Sequence, residues 1–416
     1  MVLDFEAALA EVMCHASRLR ERRPARAAET VPLLASTGRV LAQPLLADRD
    51  QPPFDRSTRD GFAVRAADIS AGIALKVAGL VRAGEIWTGA AMLPGQAIEI
   101  MTGAPVPEGA DAVVMIEHVS VADDRVTLVE GRRLRPGENI VPRGSEARLG
   151  EAVAAAGALI SAAEIAEAAT CGRSALDVFI RPRVAIVATG DELVEIGQSP
   201  DARQIRNSNS YGLAALVAAA GAEPVRLETA KDTREDVRDR IARGSSANLL
   251  LFSGGVSMGK YDLVEEVLAE FQAEFFFTGV KMQPGKPLVF GRLPKLEDAE
   301  GAGPECYFFG LPGNPISTQV TFHCFVEPFL RVLCGEDATA PRFVQATLAE
   351  EIEGKPGLTR VLPARLHCDL KTPTVKLVPW HGSGDLAANA RANCYAVLPP
   401  ERPEFRAGDV ITVLLR

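Results

Sequence analysis

Apolar residues recur at helical spacing at the start of the chain, where Phe5, Leu9, Val12 and Met13 fall on one face. Residues 1–47 read as helical and rich in Ala and Arg. The rhythm then changes. Residues 48–149 carry short apolar runs such as Ala112–Ile116 and Arg125–Val129, cut by turn formers at Pro94-Gly95, Pro107-Glu108-Gly109 and Pro136-Gly137, and predict a β-rich unit. Residues 150–181 turn helical again, with a helix over Ala155–Ala169 that Gly172 closes. From Pro182 to residue 335, strands and helices alternate. Val184–Ala188, Val225–Leu227 and Asn248–Phe252 have strand length and character. Helices are predicted over Tyr211–Ala220 behind the caps Asn207/Ser208, from Asp232/Thr233 to Arg243, and over Asp262–Phe271. Strands follow at Phe275–Met282, Pro287–Gly291 and Cys306–Gly310, with 292–305 as a solvated insertion. A helix from Asn314 to Cys334 has Asn314 as N-cap, Pro315 at its first position and Gly335 past its end. Such alternation predicts an open, mainly parallel α/β sheet. From Ala340 β-type residues return among Pro and Gly turns, so 336–416 reads as a small all-β domain. The expected fold class is therefore multidomain α/β plus β: a split helical domain (1–47 and 150–181), an inserted β domain (48–149), an α/β sheet domain (182–335) and a C-terminal β domain.

Composition narrows the function. With 416 residues, 47% hydrophobic and 24% charged, the chain has the balance of a globular protein with several cores. A formal net charge of −9 argues against nonspecific binding to nucleic acid, so an anionic ligand would need a local cluster of donors and cations. The chain has no run of about 18 apolar residues, the length that a membrane span needs, and Asp4 and Glu6 stand where a secretory leader would be basic. Seven cysteines at irregular spacing form no C-x-x-C pair, and five histidines show no H-x-x-x-H pattern. These features predict a cytoplasmic location and neither a disulfide framework nor a zinc site.

In an α/β sheet of this kind, ligands bind beyond the carboxyl ends of the strands. Two polar loops fall there in sequence: Thr189-Gly190-Asp191-Glu192, and Ser253-Gly254-Gly255 continuing through Ser257 to Lys260-Tyr261-Asp262. Glycine lets backbone N–H groups approach phosphate oxygens, a following helix N-terminus adds positive potential, and carboxylates can hold Mg²⁺. Either loop alone reads equally as a plain turn with capping acids; two at equivalent strand ends point to a nucleotide or pterin-phosphate site. Leu311-Pro312-Gly313-Asn314-Pro315 stops a strand and caps a helix, and its prolines stiffen a wall at the same edge. Lys286 sits in the turn Gln283-Pro284-Gly285-Lys286-Pro287, either as a solvated charge or facing an anion. In the inserted zone, the stretches from Pro52 to Arg65 and from Met101 to Asp111 are long loops carrying Asp and Thr, the kind of segment where sites concentrate. His323, among Phe322, Cys324 and Phe325, reads as a packed helical residue, and no Ser-His-Asp arrangement stands out.

Together these loops resemble the MoeA family, which includes the C-terminal part of gephyrin. The stretches Pro52–Arg65, Met101–Asp111, Thr189–Leu193, Gly254–Asp262, Pro284–Pro287 and Gly310–Ser317 match six family motifs in order along essentially the whole chain. The resemblance implies an elongated four-domain subunit with a molybdopterin-binding sheet domain, working as a homodimer. Its site is composite, lying between the sheet domain of one subunit and the inserted domain of the other. The implied activity is a molybdenum insertase that transfers molybdate onto adenylylated molybdopterin with release of AMP, assisted by Mg²⁺. The motifs carry catalytic roles onto Asp60, Thr102, Glu192 and Asp262, with Asp60, Glu192 and Asp262 as metal ligands. Substrate contacts are expected from Asp232, Ser253, Gly254, Gly255, Ser257, Lys286, Pro312, Asn314 and Pro315, and from Ser383 in the final domain. Implied partners are a molybdopterin adenylyltransferase and acceptor molybdoenzymes. Two rival readings are an adenylyltransferase, which needs only the sheet domain, and a non-catalytic molybdopterin carrier or scaffold.

The chain departs from the family pattern at several positions. Arg56 stands for Asn, Thr58-Arg59 for Ala-Met, Phe62 for Tyr and Glu146 for Asp. Two lysines four apart are replaced by Gly279 and Gln283. If Phe275–Gln283 is one strand, positions 279, 281 and 283 share a face, and Lys281 either takes over the absent lysines' contact with molybdate or is a solvated lysine near a strand end.

Overall fold

A computed structural model describes residues 1–21, 27–255, 263–294, 306–337 and 340–416. Helix α1 spans Phe5–Glu21 and buries Phe5, Ala8, Val12, Ala16 and Leu19 along one stripe, with Leu9 and Met13 at its margin. The stripe is covered by the α/β domain rather than by the rest of the N-terminal region. Phe5 meets Phe325 edge to face at 5.3 Å, and Val2–Leu3 ahead of the helix pairs in parallel with Gly279–Val280.

The segments expected to form a helical domain are mostly extended. Ala28–Pro32 pairs antiparallel with Ala175–Phe179, and Leu45–Leu46 with Ala152–Ala154. The helix after the inserted zone, α2 (Ala162–Thr170), is shorter than predicted. It starts at a capping box in which Ser161 and Glu164 satisfy each other's ends. Alanine content suggested helix from residue 155, but Gly157 adopts φ +91° and Ala158 pairs with Leu41, so residues 152–160 are committed to strand and turn. Leu41, Leu45, Ile160, Ala168 and Val178 make a small core of their own. Between these segments, residues 61–128 form a six-stranded sheet in the order Ala112–Met115, Gly61–Val64, Gln96–Ile100, Leu75–Val81, Arg125–Leu128, Val119–Ala122.

The α/β zone folds as a mixed six-stranded sheet. Its elements are β1 (Arg183–Ala188), α3 (Ser208–Ala219), β2 (Glu223–Arg226), α4 (Arg234–Gly244), β3 (Leu249–Ser253), α5 (Leu263–Glu270), β4 (Glu274–Phe277), β5 (Val289–Leu293) and β6 (Cys306–Leu311). The order is β2-β1-β3-β6-β5-β4, with the first four strands parallel and β5 and β4 antiparallel at one edge. The central strands β1, β3 and β6 are buried on both faces, which explains their continuous apolar runs. The expected strand over 275–282 is three short ones in three sheets: β4, Gly279–Val280 and Met282–Gln283. The solvated insertion expected at 292–305 lies outside the described residues from 295 on, and residues 292–293 belong to β5.

Helix α6 follows β6 as an α segment Pro315–Thr321, a π segment Phe322–Val326 and an α segment Glu327–Leu333. His323 is packed within it, bonded through Nδ1 to Glu327 at 2.7 Å. The tail closes into a small barrel: Thr359–His367, Thr374–Leu377, Phe343–Leu348, Val410–Leu415 and Cys394–Leu398 pair in that order, and the last returns to the first. Met282–Gln283 of the α/β domain adds to the barrel beside Thr359–Arg360. Among the described residues, no helix is long and apolar enough to cross a membrane.

Candidate functional site

Three loops leave the aligned ends of β1, β3 and β6, where Ala188 pairs with Ser253 and Ser253 with Leu311. They lie almost in contact, and the glycines are what permits it. A Cβ on Gly254 would sit 2.8 Å from the Thr189 carbonyl oxygen. One on Gly255 would sit 2.6 Å from Thr189 Oγ1, and both glycines have positive φ. Gly313 packs against Gly254 in turn. Thr189 Oγ1 is buried at this junction and has no hydrogen-bond partner among the described residues.

The loops form one wall of a cavity of about 1680 Å³ between the α/β domain and the barrel. Glu192, Asp232, Ser253, Gly254, Gly255 and Lys286 line it, as do Pro312, Asn314, Pro315 and Ser383. Ten of the sequence-predicted residues thus meet around one space. Asn314 does not cap α6 with its side chain as expected. Its Nδ2 donates to Ser383 Oγ at 2.8 Å, and Ile316 N donates to the Ser383 carbonyl at 2.9 Å. The Gly382-Ser383-Gly384 turn is thereby fastened to the start of α6. Pro315 occupies the first helical position and Thr318 Oγ1 holds the Pro312 carbonyl at 2.6 Å, so the proline wall is rigid.

Electrostatically the cavity is divided. Asp191, Glu192 and Asp232 gather at the ends of β1 and β2, with Asp232 N donating to Asp191 Oδ1 at 3.2 Å. Burial, and then the neighbouring charges of Asp191 and Glu192, push the Asp232 carboxyl above the usual carboxylate range. Arg206, Lys286 and Lys355 supply positive charge around the same space. Within the described residues of one chain, no three His, Cys, Asp or Glu side chains are grouped to hold a metal ion.

Other predicted residues stand elsewhere. Asp60 and Thr102 are joined in the inserted domain: Asp60 Oδ1 accepts from Thr102 N at 2.6 Å and from Thr102 Oγ1 at 2.8 Å. These bonds hold the Asp60 carboxyl below its ordinary value. Both residues are exposed, and no residue of the inserted domain lines the cavity. Ser257 and Asp262, and with them the Asp262 metal assignment, lie outside the described residues.

Lys281 is not a cavity residue, contrary to expectation. The strand breaks around it, its side chain is half exposed, and Nζ pairs with Asp4 at 3.1 Å. Gly279 is shut in beside Val2, whose Cγ2 would lie 3.2 Å from an added Cβ, whereas Gln283 does reach the cavity. Lys281→Ala should therefore leave the dependence of turnover on molybdate within about twofold of wild type, as expected for a surface substitution; a steady-state titration with molybdate checks this.

Sequence reading missed Asn209, Arg206 and Lys355 at the cavity. The Arg206-Asn207-Ser208-Asn209 run leads into the helix expected from Tyr211, so its polar character reads as capping, whereas Ser208 and Asn209 already belong to α3. Lys355 belongs to another domain and carried no local signal. Two departures explain each other: Arg56 Nη2 donates to Glu146 Oε1 at 2.9 Å, a pair formed by residues 90 apart in the chain.

Comparison with known proteins gives the same picture at the level of the whole chain. Residues 3–172 match the MoeA N-terminal region (domain I and II), residues 185–332 the "Probable molybdopterin binding domain", and residues 345–415 the MoeA C-terminal region (domain IV). A molybdopterin molybdenumtransferase of Nostoc sp. is 36% identical over 393 residues, spanning 93% of this chain and 88% of its own. Its counterpart in Staphylococcus aureus is 32% identical over 406 residues, spanning 96% and 93%. The crystal structure of a molybdopterin biosynthesis moeA protein from Pyrococcus horikoshii OT3 matches with a TM-score of 0.77 at 25% identity, over 100% of both chains. With three family regions in order and relatives of this identity along nearly its whole length, the chain belongs to the MoeA family.

Proposed function

We propose that this protein is a molybdenum insertase, which transfers molybdate onto adenylylated molybdopterin with release of AMP. The observation that carries the reading is the convergence of three tight loops at aligned parallel strand ends on one large cavity with cations around it. The close approach of backbone that Gly254 and Gly255 permit leaves room beside the loops for phosphate oxygens, and Arg206, Lys286 and Lys355 suit the charge of a pyrophosphate and of molybdate. The buried Thr189 Oγ1, without a partner among the described residues, suits a polar ligand. In the reaction, a molybdate oxygen attacks the adenylyl phosphorus, the P–O bond to the pterin phosphate breaks, and the two dithiolene thiolates then displace AMP from the metal, AMP leaving with the former molybdate oxygen. The protein's part is to orient the two anions and exclude water.

The chemistry of the acids fits Mg²⁺, since Asp232, whose proton affinity is raised by burial and by the nearby Asp191 and Glu192, is a donor that a hard cation takes. Glu192 and Asp232 would hold it with Asp60 of the partner subunit; bound there, it would neutralise and polarise the pyrophosphate. We assign the working unit as a homodimer on the same ground. Asp60 and Thr102 form an exposed, preset pair that their own subunit's cavity does not use.

The test is AMP release from adenylylated molybdopterin by the purified homodimer, with molybdate and Mg²⁺ present. Stoichiometric release that needs molybdate supports insertion. Formation rather than consumption of the adenylylated pterin would show an adenylyltransferase, and tight binding without release would show a carrier.

A further inference from the structure

β3 and β6 run side by side until Ser253 and Leu311, and Gly254 N donates to the Leu311 carbonyl at 3.2 Å where they part. Beyond that point the two loops turn away from their strands, and backbone pairing alone does not set their separation. A side chain from a third element bridges them. Asn209, in the first turn of α3, uses Nδ2 to donate to Ser253 Oγ at 2.8 Å and to the Gly313 carbonyl at 2.7 Å. A carbonyl oxygen only accepts, so the orientation of the amide is determined, and both of its N–H bonds are committed.

The bridge is itself anchored. Asn207 caps α3 by accepting from Ser210 N at 3.1 Å, and its Nδ2 donates to Thr229 Oγ1 at 3.1 Å, beyond the end of β2. The start of α3 therefore cannot swing freely, and Asn209 is held over the gap. Its side chain is half-buried and lines the cavity. We propose that Asn209 is a positioning residue for this site, setting the distance between the Ser253–Gly255 and Pro312–Asn314 loops so that their backbone groups meet one ligand together. The proposal rests on the insertase reading for the identity of that ligand, but not for the bridge itself.

Three variants test it in the intact homodimer: Asn209→Ala removes both bonds, Ser253→Ala removes one, and Asn209→Asp sets a carboxylate against the Gly313 carbonyl. Two readouts are needed. In unliganded protein, hydrogen exchange at Gly254 should quicken about tenfold in Asn209→Ala, the scale of losing one to two hydrogen bonds. In AMP-release assays, KM for adenylylated molybdopterin should rise about tenfold in Asn209→Ala, about threefold in Ser253→Ala and more than tenfold in Asn209→Asp. Meanwhile kcat should fall less than about threefold and the melting temperature should move only about 2–4 °C. A role in folding alone would move the melting temperature and leave KM unchanged. Unchanged exchange at Gly254, or faster exchange with wild-type KM, overturns the proposal. If the wild-type homodimer releases no AMP, the insertase reading fails, while exchange at Gly254 still decides whether the bridge exists.

Discussion

Asp60→Ala should lower AMP release by about 10²–10³-fold, the usual scale for removing a preorganised charge from a transition state, and should leave the subunit folded. The carboxylate is exposed, and its bonds to Thr102 hold a loop together without reaching any core. What makes the substitution informative is that Asp60 has no place in its own subunit's cavity. Mixing an Asp60→Ala subunit with an Asp232→Asn subunit should then restore activity. In the mixed dimer one site combines both lesions, and the other combines Asp60 of one subunit with Asp232 of its partner. Half the dimers are mixed after random exchange and half their sites are intact, so recovery should approach about a quarter of the wild-type rate. Subunit exchange is verified by mass spectrometry of differently tagged chains. No recovery after proven exchange would mean that each site is built within one chain.

Asp232→Asn should separate activity from stability in opposite directions. Turnover should fall about 10²-fold if the carboxylate serves cation and substrate. The folded protein, however, gains by losing it. Burial and the charges of Asp191 and Glu192 raise the folded pKa above the unfolded value, so the folded state binds the proton more tightly. Stability from this group is fully present below the unfolded pKa and is lost as pH rises through the folded pKa. At pH 7 the wild type therefore bears a cost that Asn lacks, and the variant should melt about 1–3 °C higher. At pH values below the ordinary carboxylate range the two should coincide. Adding Mg²⁺ should raise the wild-type melting temperature and not that of the variant, since only a cation bound to the folded state stabilises it. Melting curves at several pH values, with and without Mg²⁺, give both comparisons; a variant that melts lower at pH 7 would remove the crowding account.

Much of the α/β domain was legible because parallel strands buried on both faces are written as unbroken apolar runs, as in Val184–Ala188 and Leu249–Phe252. The site loops were legible for a related reason: glycines and prolines mark where backbones touch, and Gly254, Gly255 and Pro312 do so here. The linking region was misread because the alanines of 155–159 favour helix locally, whereas pairing of distant segments decides the backbone. Lys281 was misplaced by treating 275–283 as one strand; alternation holds only while the chain stays in one sheet, and here it passes through three. Lys355 and Asn209 reach the cavity through tertiary placement, which leaves no trace in spacing.

The pairing of the first residues with Gly279–Val280, and of α1 with the helix that ends near residue 333, has a consequence during synthesis. Met1 bonds to a residue 277 positions further on. At 5–20 residues per second, α1 waits roughly 13–51 s after it is made before that partner exists. Throughout that time Phe5, Ala8, Val12 and Leu19 have no surface to bury against. The inserted β-sheet, whose strands lie within residues 61–128, can fold in the interval. Helix α1 is thus among the last elements to find its place, and its apolar stripe stays uncovered until the α/β domain closes over it.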